Sequence, residues 1–167
     1  MIYIVMGVTG CGKSTIGEKL AAALGIPFYD ADDYHTESNK EKLTHDIPLN
    51  DADRQPWLEI LAREMKHWEA DGGGVLACSA LKQSYRDTLR GSGVDVTFIY
   101  LKGDKYVFAK RIARRATHEP EALVKDYEHI LDGQFRDLEE PKDAIIQPVG
   151  EPSPDQVVIE ILEKLNG

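Results

Sequence analysis

The sequence predicts an α/β fold, one parallel sheet of five strands with helices on both faces. Three observations lead there. Apolar runs of strand length alternate along the chain with longer stretches whose apolar residues recur at helical spacing. Val75-Leu76-Ala77-Cys78 is apolar at every position, as in a strand buried on both faces. Gly7 to Ser14 spells G-x-x-x-x-G-K-[ST], a phosphate-binding loop, where a strand gives way to a helix. The strands are too few for an eight-stranded barrel.

Ile2-Tyr3-Ile4-Val5 opens the sheet as a β-branched and aromatic run. The helix after the loop starts near Lys13, carries Ile16, Leu20, Ala23 and Leu24 on its apolar side, and ends at Gly25. Ile26-Pro27-Phe28-Tyr29-Asp30 is the second strand, with proline tolerated at its start. It runs into Asp30-Ala31-Asp32-Asp33-Tyr34-His35, three carboxylates and an imidazole at the strand end where open α/β sheets bind ligands. Residues 36–50 are mixed in polarity, with Thr36 as a helix cap and Pro48 as a break. Asp53 is expected to cap the next helix with Pro56 in its first turn. Its apolar stripe is Trp57, Leu58, Leu61, Met65 and Trp68, and Asp71-Gly72-Gly73-Gly74 ends it.

Val75 to Cys78 is the third strand, followed by Ser79-Ala80-Leu81-Lys82 and a helix carrying Tyr85, Arg86 and Leu89 as far as Gly91. Val94 to Leu101 is the fourth. Asp104 starts a helix with Phe108 and Ile112, on which Arg111 and Arg115 lie four apart and share a face. Residues 116–141 are polar; Ala122 to Leu131 reads as helix, and Gln134 to Glu139 continues or follows it. Ala144-Ile145-Ile146 is the fifth strand. Ser153-Pro154-Asp155-Gln156 gives a capping box with proline at the first helical position. Val157, Val158, Ile161, Leu162 and Leu165 supply the buried face of the last helix.

A length of 167 residues suits a single domain with a full core, spanning 1–167. The hydrophobic share of 42% and charged share of 29% are those of an ordinary globular protein. A net charge of −9 argues against nucleic acid or an anionic membrane as partner. An anionic nucleotide then needs local positive charge, and Lys13, Arg54, Lys82, Arg86 and the cluster Arg111, Arg114, Arg115 offer it. Cys11 and Cys78 are too few for a disulfide scaffold or a four-cysteine zinc site. The chain begins on its first strand without a charged and apolar leader, and no run is long enough to span a bilayer, so a cytoplasmic location is expected.

The loop's chemistry follows from its residue types. Gly7, Gly10 and Gly12 lack a Cβ, so the backbone from Gly7 through Val8, Thr9, Gly10, Cys11, Gly12, Lys13 and Ser14 to Thr15 can turn its N–H groups around phosphate oxygens. The following helix adds its positive N-terminal end. Lys13 is placed to reach the β- and γ-phosphates of ATP, and the Ser14 hydroxyl to ligate Mg²⁺. The N-K-x-D motif by which GTPases read their base is missing, and the strand Val75–Cys78 ends in Cys-Ser rather than in a Walker-B acid. Acids after the second strand and arginines late on a helix suit a small-molecule kinase with the three-layer P-loop fold and a mobile lid.

At this point the sequence resembles a known family, the small P-loop gluconokinases. The residues that carry the resemblance are the phosphate loop, Phe28 to His35 with Asn39, Pro48-Leu49-Asn50-Asp51-Ala52-Asp53-Arg54-Gln55-Pro56-Trp57-Leu58, Ala77-Cys78-Ser79-Ala80-Leu81-Lys82 with Tyr85-Arg86, and Gln134-Phe135. The chain departs from the family's lid pattern, usually G-H-F-x-P followed shortly by S-Q-F. Here Thr117-His118-Glu119-Pro120 precedes a longer insert before Gly133-Gln134-Phe135, so residues 116–133 are expected to form a differently built lid.

The resemblance implies transfer of a phosphoryl group from ATP to D-gluconate, giving 6-phospho-D-gluconate, and a homodimer. It implies Lys13, Asp32 and Arg115 as the catalytic set, with Asp32 taking the proton of the acceptor hydroxyl and Asp33 as its rival. Arg111 or Arg115 closes over the phosphates, and the adenine lies against Arg111 and the 147–152 loop. Mg²⁺ sits on Ser14 with Asp30 nearby. Arg54, Arg86 and Lys82 are the cations for the sugar-acid carboxylate, Arg being the better bidentate partner. His35 and Gln134 are placed for the acceptor's hydroxyls. Two other readings are open on the residues alone: a kinase of another small hydroxylated acid, such as shikimate or a different aldonate, and a nucleotide-binding regulator without catalysis.

Overall fold

A computed structural model describes residues 1–118, 121 and 123–167. Five parallel strands form the sheet in the order β2-β3-β1-β4-β5: β1 (Ile2–Met6), β2 (Phe28–Asp30), β3 (Gly74–Ala77), β4 (Val96–Lys102) and β5 (Ile145–Pro148). Around it run α1 (Lys13–Leu24), α2 (Glu37–Thr44), α3 (Asp51–Ala70), α4 (Gln83–Arg90), α5 (Lys105–Ala116), α6 (Val124–Asp137) and α7 (Pro154–Asn166). Strand alternation divides the core in two. Val5, Val75, Ile99 and Leu101 face one layer, with Ile16, Leu20, Phe108, Leu131, Val157 and Ile161. Ile2, Ile4, Met6, Leu76, Phe98 and Tyr100 face the other, with the stripe of α3 and with Tyr85 and Leu89 of α4. Among the described residues no helix is long and apolar enough to cross a membrane.

The strand order reverses at β1, whose neighbours are β3 and β4. Its C-terminal end is therefore a switch point, where the connections leave a crevice for a ligand. The phosphate loop starts there.

Several local expectations are corrected. Asn50, not Asp53, caps α3; Asp53 is the reciprocal member of the capping box, its carboxylate accepting from Asn50 N at 3.1 Å and Asn50 Oδ1 accepting from Asp53 N at 2.8 Å. The earlier start carries Pro56 beyond the first turn. On α1 the buried residue is Ala21 rather than the exposed Ala23, because the face at helical spacing that is buried runs through Ile16, Gly17, Leu20 and Ala21. Residues 124–137 form one continuous helix with Val124 and Leu131 buried. The expected lid thus falls on the end of α5, on a connection in which Glu119, Pro120 and Ala122 lie outside the described residues, and on the greater part of α6.

The long helix α3 anchors β2 and the turn that follows it. Trp68 stacks on Tyr29 of β2 with ring centres 3.9 Å apart, and Trp57 Nε1 donates to Ala31 O at 2.8 Å. That second bond fixes the 3-10 turn Ala31–Tyr34, which carries Asp32 beyond β2.

Candidate active site

A cleft of about 320 Å³ opens at the switch point. The phosphate loop lines it with Thr9, Gly10, Gly12, Lys13, Ser14 and Thr15. Gly7, Val8 and Cys11 are not on its wall; Val8 and Cys11 are buried behind the loop. Their role is to shape it. A Cβ on Gly7 would fall 2.7 Å from Cys11 Sγ, and one on Gly10 would fall 3.0 Å from both Ile112 Cγ1 and Phe108 O. Gly10 also has φ of 85°, so a side chain there is excluded twice, by space and by backbone. Burial pushes the Cys11 thiol up, and the Cys78 thiol up to about 12, so both behave as core atoms and not as nucleophiles.

Lys13 folds over its own loop, Nζ donating to Gly7 O at 3.1 Å and to Val8 O at 3.2 Å. Ser14 Oγ donates to Asp30 Oδ2 at 3.3 Å, which brings a hydroxyl and a carboxylate together at the end of β1 and β2. Asp30 Oδ1 meanwhile accepts from Asp32 N at 2.9 Å and caps the 3-10 turn. Among the described residues no group of three or more His, Cys, Asp or Glu side chains could hold a metal ion. The hydroxyl and carboxylate pair instead suits Mg²⁺, which keeps several waters and binds through one or two protein oxygens plus phosphates.

Asp32 lines the cleft and Asp33 does not. The cleft walls raise the Asp32 carboxyl above its ordinary value, with Asp30 adding to the effect and His35 and Lys13 opposing it. Its side chain is still 85% exposed through the open mouth, so water weakens that upward push. His35 does not reach the cleft wall; it stacks on Trp57 at 4.4 Å, with Nε2 3.8 Å from Asp32 Oδ1. The residue expected at an acceptor hydroxyl thus packs between Trp57 and the Asp32 carboxylate.

Among the cations, the structure separates those that face the cleft from those already engaged. Arg54 and Arg115 line it, and among the described residues no carboxylate forms an ion pair with either. Arg86, expected at the acceptor carboxylate, is fully buried. Its guanidinium donates to Ala80 O at 2.7 Å, Leu81 O at 3.0 Å, Gln83 Oε1 at 3.1 Å and Glu139 O at 2.6 Å. Those bonds hold Ala80 at φ of 44°, a conformation rare for alanine, and tie the loop after β3 to the segment after α6. Arg86 is thus a structural clamp. Lys82 is engaged as well: its Nζ pairs with Asp51 Oδ1 at 3.0 Å, and it does not line the cleft.

Gln134 does line the cleft, but its amide is engaged by the phosphate loop, accepting from Thr9 N and donating to Thr9 Oγ1, each at 2.8 Å. Tyr85 and Asp137 are wall residues that the sequence reading did not single out as site residues. For Asp137 a signal exists: it lies three residues after Gln134, on the same face of α6.

A second cavity of about 370 Å³ adjoins the first, sharing Gly12, Thr15 and Arg115 with it. Its remaining wall is Ile16, Arg111, Arg114, Val149, Pro152, Pro154 and Val157, an apolar slot edged by arginines. Arg111 reaches backbone there, donating to Gly150 O at 3.2 Å and to Gly10 O at 3.5 Å. An apolar slot continuous with a phosphate loop is of a kind that could take a nucleoside.

Comparison with known proteins points the same way. The model of the family described as Shikimate kinase matches residues 9–166. The chain is 44% identical over 129 residues to the gluconokinase of Arabidopsis thaliana, covering 71% of this chain and 68% of that protein. It is 37% identical over 171 residues to the thermoresistant gluconokinase of Escherichia coli (strain K12), covering 99% and 87%. The crystal structure of a gluconokinase from Sinorhizobium meliloti 1021 aligns with a TM-score of 0.79 at 35% identity, covering 98% of this chain and 90% of that one.

Proposed function

The chain belongs to the gluconokinases, within the shikimate-kinase family of P-loop kinases, and we propose that its cleft transfers the γ-phosphoryl group of ATP to D-gluconate. The observation that carries this reading is the position of Arg54. It is a cation without an ion-pair partner among the described residues, on the same cleft wall as Lys13, Ser14 and Asp32. A phosphate loop explains a nucleotide; a further cation lining the same cleft calls for an anionic acceptor.

In this reading the loop backbone and Lys13 hold the β- and γ-phosphates, and the adenosine occupies the slot beside Arg111 and Val149. Ser14 and Asp30 hold Mg²⁺, which neutralises phosphate charge when bound. Arg54 takes the acceptor carboxylate, and Asp137 and Asp32 accept from its hydroxyls. Asp32 receives the proton of the attacking hydroxyl, which leaves as the new O–P bond forms and the bond to ADP breaks. The raised Asp32 carboxyl makes it a somewhat better acceptor, although a loose transition state demands little base strength. Arg115, at the junction of both cavities, lies where charge develops between donor and acceptor. A homodimer and a cytoplasmic location, where ATP is at hand, belong to the same proposal; sedimentation and cell fractionation test them.

A coupled assay of ADP release with gluconate, other aldonates and shikimate tests the acceptor. Turnover highest with gluconate is expected. Turnover with another acid and none with gluconate overturns the acceptor, and ATP binding without any phosphorylated product overturns the kinase.

A further inference from the structure

Arg54 does not stand alone on its wall. Its Nη1 donates to the Tyr85 hydroxyl at 3.2 Å, and that hydroxyl in turn donates to Asp51 Oδ1. Lys82 Nζ closes the group from outside the cleft, 3.0 Å from Asp51 Oδ1 and 3.2 Å from Asp51 Oδ2. Tyr85 is buried, so its ring can offer few other orientations. Asp51 and Arg54 are three residues apart in the first turn of α3, a spacing at which a carboxylate and a guanidinium pair readily. They do not pair here. Both Asp51 oxygens are engaged by Lys82, one of them also by Tyr85, and Arg54 is left to the cleft.

We propose that Tyr85, Asp51 and Lys82 act as one positioning unit for Arg54, in which Lys82 is the counter-charge of Asp51 and not a ligand of the acceptor. This rests on the reading that Arg54 takes the acceptor's carboxylate. Lys82 keeps Asp51 from capturing Arg54, and Tyr85 aims the guanidinium while screening it from the carboxylate behind. The unbalanced positive charge of the cluster is then the one that faces the substrate. An acid is selected over a neutral polyol because only an anion relieves that charge.

Two roles for Lys82, counter-charge and acceptor ligand, are separated by a pair of variants and not by a single substitution. Lys82→Met releases Asp51 toward Arg54, and the KM for gluconate is expected to rise about tenfold, with kcat and the KM for ATP within about twofold. In the double variant Asp51→Asn/Lys82→Met the stray charge is gone, while the asparagine carbonyl still accepts from Tyr85. Its KM for gluconate is expected to return to within about twofold of the parent enzyme. A double variant as impaired as Lys82→Met means that Lys82 touches the acceptor, and overturns the inference. Tyr85→Phe, which keeps the ring packing, is expected to raise the same KM about fivefold or more without lowering kcat in proportion. An unchanged KM in Tyr85→Phe also overturns it. If the parent enzyme turns over a different hydroxy acid, the gluconate reading falls, and the same three KM comparisons with that acid decide the positioning unit separately.

Discussion

Gln134 and Thr9 grip one another through two hydrogen bonds, with the Thr9 N–H and hydroxyl meeting the two ends of one amide at 2.8 Å each. Residues 125 apart in sequence are thereby joined, and α6 is fastened to the phosphate loop. The position of α6 is therefore set in part by the phosphate loop itself.

Gln134→Ala removes both bonds. Each contributes about 0.5–1.5 kcal/mol net, so docking of α6 is expected to weaken by about 1–3 kcal/mol. Amide hydrogen exchange across residues 124–137 reads this directly, and protection in α6 should fall at least several-fold while β1 and β4 are unaffected. Unaltered exchange in α6 would show that its packing on α5 suffices.

Asp32→Asn should retain ATP binding and lower kcat by about 10²–10⁴ if Asp32 accepts the hydroxyl proton. Its pH behaviour has a definite sign. The cleft holds the carboxyl above its ordinary value of 3.8, so the acid limb of kcat/KM, where the base is lost by protonation, should lie above that pH. Stability follows the same shift. The folded protein favours the neutral acid, a contribution fully present below the unfolded value and lost as pH rises through the raised one. Asp32→Asn, always neutral, should therefore gain Tm over the parent as pH rises, with the gap closing in acid.

Arg115 and Arg111 are expected to separate kinetically. Arg115, shared by both cavities, should carry charge stabilisation; Arg115→Ala should reduce kcat by about 10³-fold or more if it acts as arginines do in related phosphoryl transfer. Arg111 is bonded to Gly10 O and Gly150 O, so Arg111→Ala should chiefly raise the KM for ATP. Equal losses of kcat in both would show that the two act together.

Arg86→Ala tests the corrected role of that residue. It would leave the carbonyl oxygens of Ala80 and Glu139 without their donor, Leu81 O keeping the Glu139 N–H, and release the strained turn at Ala80. At about 1–3 kcal/mol for each unsatisfied group, a loss of roughly 2 kcal/mol or more is expected. Denaturant unfolding measures it. A stable Arg86→Ala protein with a raised KM for gluconate would return Arg86 to the substrate.

The sequence by itself determined the donor half of this enzyme. The loop Gly7–Ser14 is contiguous, its glycines and lysine have one well-defined use, and the strand and helix beside it follow from local periodicity. The stripe from Trp57 to Trp68 was legible for the same reason, since it lies on a single helix. The acceptor half was decided by tertiary structure. Arg54 and Arg86 look alike in sequence, each early in a helix and beside polar neighbours. What distinguishes them is which acceptors surround the guanidinium, and each set includes one from a distant part of the chain. Glu139 O, which lies 53 residues away, helps to bury Arg86, whereas Tyr85, from 31 residues away, leaves Arg54 facing the cleft. A residue's type and spacing state what it can bind; only the folded chain decides whether that capacity has already been used.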